Sequence, residues 1–436
     1  MAKRGASDSR SRAAHSAGTE EYIGRCICTI LIGDVEFANC CSSQRYCSLA
    51  VSGGLHKAPS VVDASTHTLN ALAEVGGIAK AQVKLARAER VAYNMAAYEA
   101  TFGAEATAGM GSAGKRLVTG RALPAEIAAV HPGVQISEPV RVFVGKAEGA
   151  TSKERVDLAV SRLAASGGLD KRDILVLVPN AMGDFLPQVP FAQEVMSKGD
   201  TATVVVQSVA TRPWFVIQDI KSVGVEQRAL IRGITAEMTA RGREPGTYRI
   251  LVDGHCYGAL TTSAAIAEGG LAGVRQLGID GALLTAGPLG WMPQRRALEA
   301  TRAQGASVVH DVAELDALHA AGDTSSLTWA QHRDDPMRIR LGDLWRPMTD
   351  ANGVRLPGPH VPVVSAMASV FDLAAYGTRP GGQLVDVGHD FRGMSTRGVR
   401  AAFHHAEVTD AQVALIEGMN ARDEALKTVS GSRSRM

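Results

Sequence analysis

Short, mainly apolar, strand-like runs separated by longer stretches of helical periodicity organise the middle of this chain. The runs fall at residues 140–144, 174–179, 202–207, 248–252, 281–288, 307–310, 327–330 and 383–387. Ile174-Leu175-Val176-Leu177-Val178 has no polar position, as expected of a strand buried on both faces of a parallel sheet. Between the runs, residues 152–166 and 225–241 place their apolar positions at helical spacing; Val156, Leu158, Ala159 and Leu163 share one side of the first. Strands alternating with helices predict an α/β fold with a doubly wound, mainly parallel sheet. In such a sheet the chemistry sits beyond the carboxyl ends of the strands.

Upstream the pattern changes. Residues 66–113 read as an Ala-rich helical extension, with an apolar stripe through Leu69, Leu72, Ile78, Val83, Val91 and Met95 and a break over 109–114. Residues 1–65 read as an irregular lead that holds Cys26, Cys28, Cys40, Cys41 and Cys47. Zinc ligation or disulfides are open to these thiols, but C-x-C and C-C spacings are not the usual C-x₂-C pairs, and incidental thiols are the preferred reading. The α/β domain is expected over 114–425 and a disordered tail over 426–436.

Composition narrows the function classes. With 436 residues and 45% hydrophobic content the chain can bury one large α/β core. A net charge of +2 makes no electrostatic case for nucleic acid, and the basic residues of the two ends read as solvated tails. No apolar run approaches the roughly 20 residues of a membrane-spanning helix. The stretch 23–32 is short, interrupted by Arg25 and preceded by Glu20 and Glu21, unlike a signal peptide. As written, the chain reads as soluble and cytoplasmic. No metal motif joins its histidines, and neither metal nor organic cofactor is implied.

The candidate chemistry centres on Gly254-His255-Cys256-Tyr257-Gly258, which has the G-x-nucleophile-x-G form of a nucleophile elbow with cysteine as nucleophile. A strand-like run precedes it and a helix of small residues, 259–267, follows it. A Cβ at either flanking glycine is expected to collide with the neighbouring strand or helix. An elbow calls for an acid and then a histidine later in the chain. Asp335, just past the run 327–330, is the expected acid, with Asp334 as its competitor. His389, after the run 383–387, is the expected general base. The thiolate is the nucleophilic form, and a neighbouring imidazole and a helix N-terminus both favour it. The oxyanion hole would combine the N–H of Tyr257 with one from the loop 180–184, where Ala181 and Met182 are the candidates. His255, Met182 and Phe185 are expected to line the substrate pocket, with Trp214 and Phe215 either nearby or in the core.

These residues resemble the α/β-hydrolase fold. More narrowly, the chain is similar to bacterial α/β-hydrolases that carry a membrane-embedded helical region before the catalytic domain. The likeness runs through Leu117-Val118-Thr119-Gly120, Glu138-Pro139-Val140, Gly199-Asp200-Thr201-Ala202, Asp280-Gly281-Ala282-Leu283, Gln331-His332, Asp335-Pro336 and Gly388-His389. It implies an esterase-like activity and a membrane association for which this chain offers no spanning segment. The family elbow resembles G-E-S-x-G, where this chain has His255 and Cys256. A cysteine elbow is also similar to that of polyhydroxyalkanoate synthases, which transfer acyl chains through a thioester. The expected function is therefore cleavage or transfer of an acyl group from an ester or thioester through Cys256, Asp335 and His389. Water as acceptor would make it an esterase or thioesterase, and an alcohol or amine an acyltransferase. The alternative is an inactive hydrolase-fold binding or scaffold protein.

Overall fold

The computed structural model describes residues 80–180, 183–208, 220–266, 269–288, 292–332, 335, 361 and 391–431. The Cys-containing lead, the run 383–387 and the residues Ala181, Met182, Trp214, Phe215, Asp334 and His389 lie outside them. Two compact units divide the chain, Met1–Lys57 with Pro357–Val361, and Ala58–Leu356 with Pro362–Met436. Everything below concerns the second.

Seven strands form one sheet in the order β1-β3-β2-β4-β5-β7-β6, with every pair parallel. They are β1 (Val140–Val144), β2 (Asp173–Val178), β3 (Thr201–Val206), β4 (Arg249–His255), β5 (Ile279–Thr285), β6 (Ser307–Val309) and β7 (Thr328–Ala330). All six residues of β2 and of β3 are buried, as expected of central strands with apolar residues on both faces. Alternate residues feed two separate cores. Leu175, Leu177, Leu251 and Leu283 point to one face of the sheet, and Ile174, Val176, Ile250, Val252 and Leu284 to the other.

Helices cover both faces. On the Leu175 side lie α3 (Gly111–Thr119), α4 (Pro124–Val130), α6 (Gln188–Met196), α11 (Val312–Ala320), α12 (Arg392–Ala402) and α13 (Asp410–Gly431). On the Val176 side lie α5 (Ser152–Ala165), α7 (Ile220–Ala240), α8 (Tyr257–Ile266), α9 (Leu271–Gln276) and α10 (Met292–Ala303). Helix α5 starts where its sequence says it should. Thr151 accepts the N–H of Glu154 at 3.2 Å while the Glu154 carboxylate takes the N–H of Thr151 at 3.3 Å, a closed capping box.

Several expected boundaries shift. The helical extension breaks within 109–114 only at Met110, and it breaks earlier as well, at Gly103. Helix α1 (Lys80–Phe102) ends at Gly103, whose φ of +84° suits glycine, and α2 (Ala104–Gly109) gives way to α3 at Met110. Gly114 is helical because it is a packing residue: a Cβ there would come within 2.6 Å of the Phe143 ring on β1. Strand β4 is longer than the apolar run 248–252, since the polar Asp253 and His255 are buried and remain in register with β2 and β5. Helix α13 reaches Gly431, into the stretch expected to be a tail.

Buried ion pairs fix the outer helices. Arg141 of β1 is held bidentate by Glu194 of α6, at 2.5 and 2.9 Å, and donates to the carbonyl of Leu117 at 2.6 Å. The same Glu194 carboxylate accepts the N–H of Ala122 at 2.8 Å, so one fully buried acid ties α3, α6 and β1 together.

Candidate active site

The sheet order reverses direction around β2 and β4. Helix α6 leaves β2 on one face and helix α8 leaves β4 on the other, which opens a crevice at their carboxyl ends. Cys256 stands at that point, between the last residue of β4 and the first of α8. Its φ is +54°, a left-handed conformation that a non-glycine residue adopts only when its surroundings enforce it. The enforcing contacts are visible. The N–H of Cys256 donates to the carbonyl of Thr285 on β5 at 2.9 Å, and its carbonyl accepts the N–H of Leu260 at 3.2 Å, opening α8.

The flanking glycines allow this turn for separate reasons. A Cβ on Gly254 would come within 2.8 Å of the Gly258 backbone, so the strand could not run so close beneath its own helix. A Cβ on Gly258 would come within 2.2 Å of the Val178 carbonyl, so α8 could not approach the end of β2. The thiol of Cys256 is partly exposed and packs against the apolar cluster that includes Phe185 and Phe391.

On the far side of the elbow the loop after β2 closes on itself. The N–H of Gly183 donates to the Asn180 carbonyl at 2.9 Å, that of Asn180 to Asp184 at 2.7 Å, and that of Asp184 to the Asn180 side chain at 3.0 Å. Gly183 has a φ of +78° and lies against the Gln207 amide, leaving no room for a side chain. Between this loop, α7 and Tyr257 there is a cavity of about 30 Å³, bordered by Val178, Pro179, Val206 and Leu230. It is large enough for a water molecule.

Residues His255, Thr285 and Ala330 stand in one row across the ends of β4, β5 and β7. Asp335 follows β7, is fully buried, and its N–H donates to the carbonyl of His332 at 3.3 Å. The structure thus brings Cys256 and Asp335 to the same end of the sheet, on strands two positions apart or about 10 Å between axes. His255 is buried rather than open, with Nδ1 2.9 Å from the Thr285 hydroxyl. Its ring meets Phe391 edge-on at 6.1 Å, and the ring of His332 meets the same phenyl at 6.4 Å. Phe185 is buried in the core beside them.

One residue of this strand went unread in the sequence. Asp253 is completely buried on the face shared by Leu251 and His255, and neither carboxylate oxygen has a hydrogen-bond partner among the described residues. Burial pushes its pKa up to about 8. The signal was the alternation of β4, which puts position 253 inside with Leu251. Gln294, at the start of α10, is similarly buried with both amide atoms unpartnered among the described residues. No group of three or more metal-ligating side chains occurs among the described residues. No described helix is long and apolar enough to cross a membrane.

Residues 140–341, the stretch that carries the whole sheet and the elbow, match the model of an alpha/beta-hydrolase family. No curated protein and no solved structure matches the chain.

Proposed function

We propose that this protein is an alpha/beta-hydrolase that cleaves an acyl ester or thioester, with Cys256 as nucleophile, His389 as general base and acid, and Asp335 as the group that orients His389. The conformation of Cys256 carries the reading. A left-handed φ of +54°, between two glycines that admit no Cβ, is a cost the backbone bears only to hold a side chain at the tip of a strand. Its place at the N-terminus of α8 adds a favourable dipole for an anionic sulfur.

Chain order supports His389, which follows Cys256 and Asp335 in the sequence that an elbow triad requires. The oxyanion would be held by the Tyr257 N–H and by a second donor from the loop after β2. The N–H groups of Asn180, Gly183 and Asp184 are engaged inside that loop, and Ala181 and Met182 remain the candidates named from the sequence.

The cycle then follows. Sγ of Cys256 attacks the acyl carbonyl carbon, forming a C–S bond as His389 takes the thiol proton. The tetrahedral oxyanion collapses and the ester C–O or thioester C–S bond breaks, with the leaving group accepting that proton. Water, deprotonated by His389, attacks the acyl-enzyme; the C–S bond to Cys256 breaks and a carboxylate leaves. An alcohol or amine replacing water would make the same intermediate a transferase.

The test is labelling with an acyl-type thiol-reactive probe at graded pH, with the modified cysteine located by mass spectrometry. Wild type, His389→Ala and Cys256→Ser are compared. The expected result is selective modification of Cys256 below pH 7, lost in His389→Ala. Labelling confined to the N-terminal cysteines, or indifferent to His389→Ala, leaves a hydrolase-shaped binding protein.

A further inference from the structure

A second cavity, of about 360 Å³, lies at the opposite end of the sheet from the elbow. Helix α1 forms one wall with Asn94, Ala97, Tyr98, Thr101 and Phe102. The other walls are the end of α3 (Val118, Arg121), the approach to β1 (Glu138 to Arg141), and the turn before β2 (Ser166, Gly167, Lys171). Lys171 precedes β2, whose first residue Asp173 pairs with Arg249 at the start of β4, while Cys256 follows the other end of β4. The length of that strand, about 23 Å, separates the two sites.

One cation lining this cavity has no contact partner among the described residues. Arg141 is neutralised by Glu194 in the fully buried pair described above. Arg121 is paired with Glu138 at 2.8 Å, and Glu138 also accepts the Tyr93 hydroxyl at 3.1 Å. That leaves Lys171, half-buried, with no side-chain hydrogen bond or ion pair among the described residues. The acids that favour its charge do not touch its ammonium. Asp200 accepts the N–H of Arg172, Asp170 faces Arg241, and Glu138 belongs to Arg121. Burial pulls the Lys171 pKa down in spite of them, as expected of an ammonium that has lost water without gaining a partner. Beside it Tyr98 and Phe102 pack ring against ring at 4.6 Å, giving the cavity an apolar, aromatic wall.

We propose that this cavity is a binding site, separate from the active site, for a monocarboxylate with an aromatic or short aliphatic body. One ammonium without a contact partner offers a place for one carboxylate, the aromatic wall offers a place for a hydrocarbon body, and the volume is that of a small-molecule pocket. A carboxylate is also what an acyl hydrolase releases, so the site is suited to sense the accumulation of acid.

Isothermal titration calorimetry of the full chain tests this with benzoate, its neutral isostere benzamide and inorganic phosphate, before and after Cys256 is blocked with a thiol reagent. The expected result is saturable benzoate binding, unaffected by the block and at least tenfold tighter than benzamide. Lys171→Gln should weaken it at least tenfold and Lys171→Arg should restore most of it. Ala97→Leu, which fills the cavity without touching the charge, should weaken benzoate and benzamide alike and keeps the test open if Lys171→Gln fails to fold. Benzoate binding that is lost on blocking Cys256, that survives both Lys171→Gln and Ala97→Leu, or that is absent, overturns the proposal. Phosphate binding more tightly than benzoate overturns the assignment of ligand class.

Discussion

The elbow makes a prediction that separates strain from chemistry. Cys256→Ala and Cys256→Gly both remove the sulfur, but only glycine relaxes a φ of +54°. Cys256→Gly should therefore be more stable than Cys256→Ala by about 1 kcal/mol, although glycine is ordinarily the less stable choice. Urea denaturation of the two variants measures it, and equal midpoints would show that the turn stores no strain. Gly258→Ala should behave in the opposite way. Its Cβ meets the Val178 carbonyl, a backbone atom that cannot swing aside, so a loss of about 2–3 kcal/mol is expected together with loss of Cys256 labelling. Both glycines and the cysteine were legible in the sequence because their roles follow from local sterics within five residues. Asp253 was not, because an aspartate beyond the apolar run 248–252 looks like a strand exit. Only the register with Leu177 and Leu283 shows that the strand goes on and carries the carboxyl inside.

Strands and helices were legible in proportion to how local their causes are. Strands β1, β2 and β3 declare themselves because both faces are buried and apolar residues, mostly β-branched or leucine, dominate each of them. The start of α5 declares itself through Thr151 and Glu154. The continuation of α3 through Gly114 could not be read, because glycine is needed there to clear Phe143, a residue far away in sequence. Nor could the swap of β6 and β7, which puts the later strand against β5 and so brings the strand end before Asp335 to within two positions of β4. The same non-local logic makes Glu194 the strongest single tie of the outer helices. Replacing it with alanine leaves Arg141 charged and buried without its partner and frees the N–H of Ala122. A loss of about 3–5 kcal/mol is expected on breaking such a pair. Chemical denaturation of Glu194→Ala checks it, and a loss under 1 kcal/mol would mean that water reaches Arg141.

Two buried groups pull the stability of the whole molecule in opposite directions as pH changes. His405 is sunk beneath the amino end of the sheet, where Nε2 meets the Gln193 carbonyl oxygen at 2.8 Å. Gln193 passes the bond on to Asp173, which Arg249 grips at 2.7 and 2.8 Å. Burial lowers the His405 pKa to about 3, so the fold holds it neutral. Unfolded, it takes up a proton below about pH 6.5. Its contribution is complete above that value and drains away as pH falls towards 3. Burial lowers the His131 pKa too and steepens the same slope. Asp173 joins only in stronger acid: burial alone would raise its pKa, but Arg249 and Arg172 hold it below the usual carboxylate range. Asp253 works in reverse. The fold keeps it protonated up to about pH 8, while the unfolded chain ionises it near pH 4, so stability falls across that interval as pH rises. Where the windows overlap, between about pH 4 and 6.5, one proton offsets the other at about 1.4 kcal/mol per pH unit each. Stability should therefore peak in mild acid and decline from about pH 6.5 to 8. Urea midpoints recorded from pH 3 to 9 measure the profile. In Asp253→Asn the decline above pH 6.5 should vanish and the maximum move towards neutrality. An unchanged profile in that variant would mean that the carboxyl at 253 is ionised in the folded protein, with a counter-charge or water beside it.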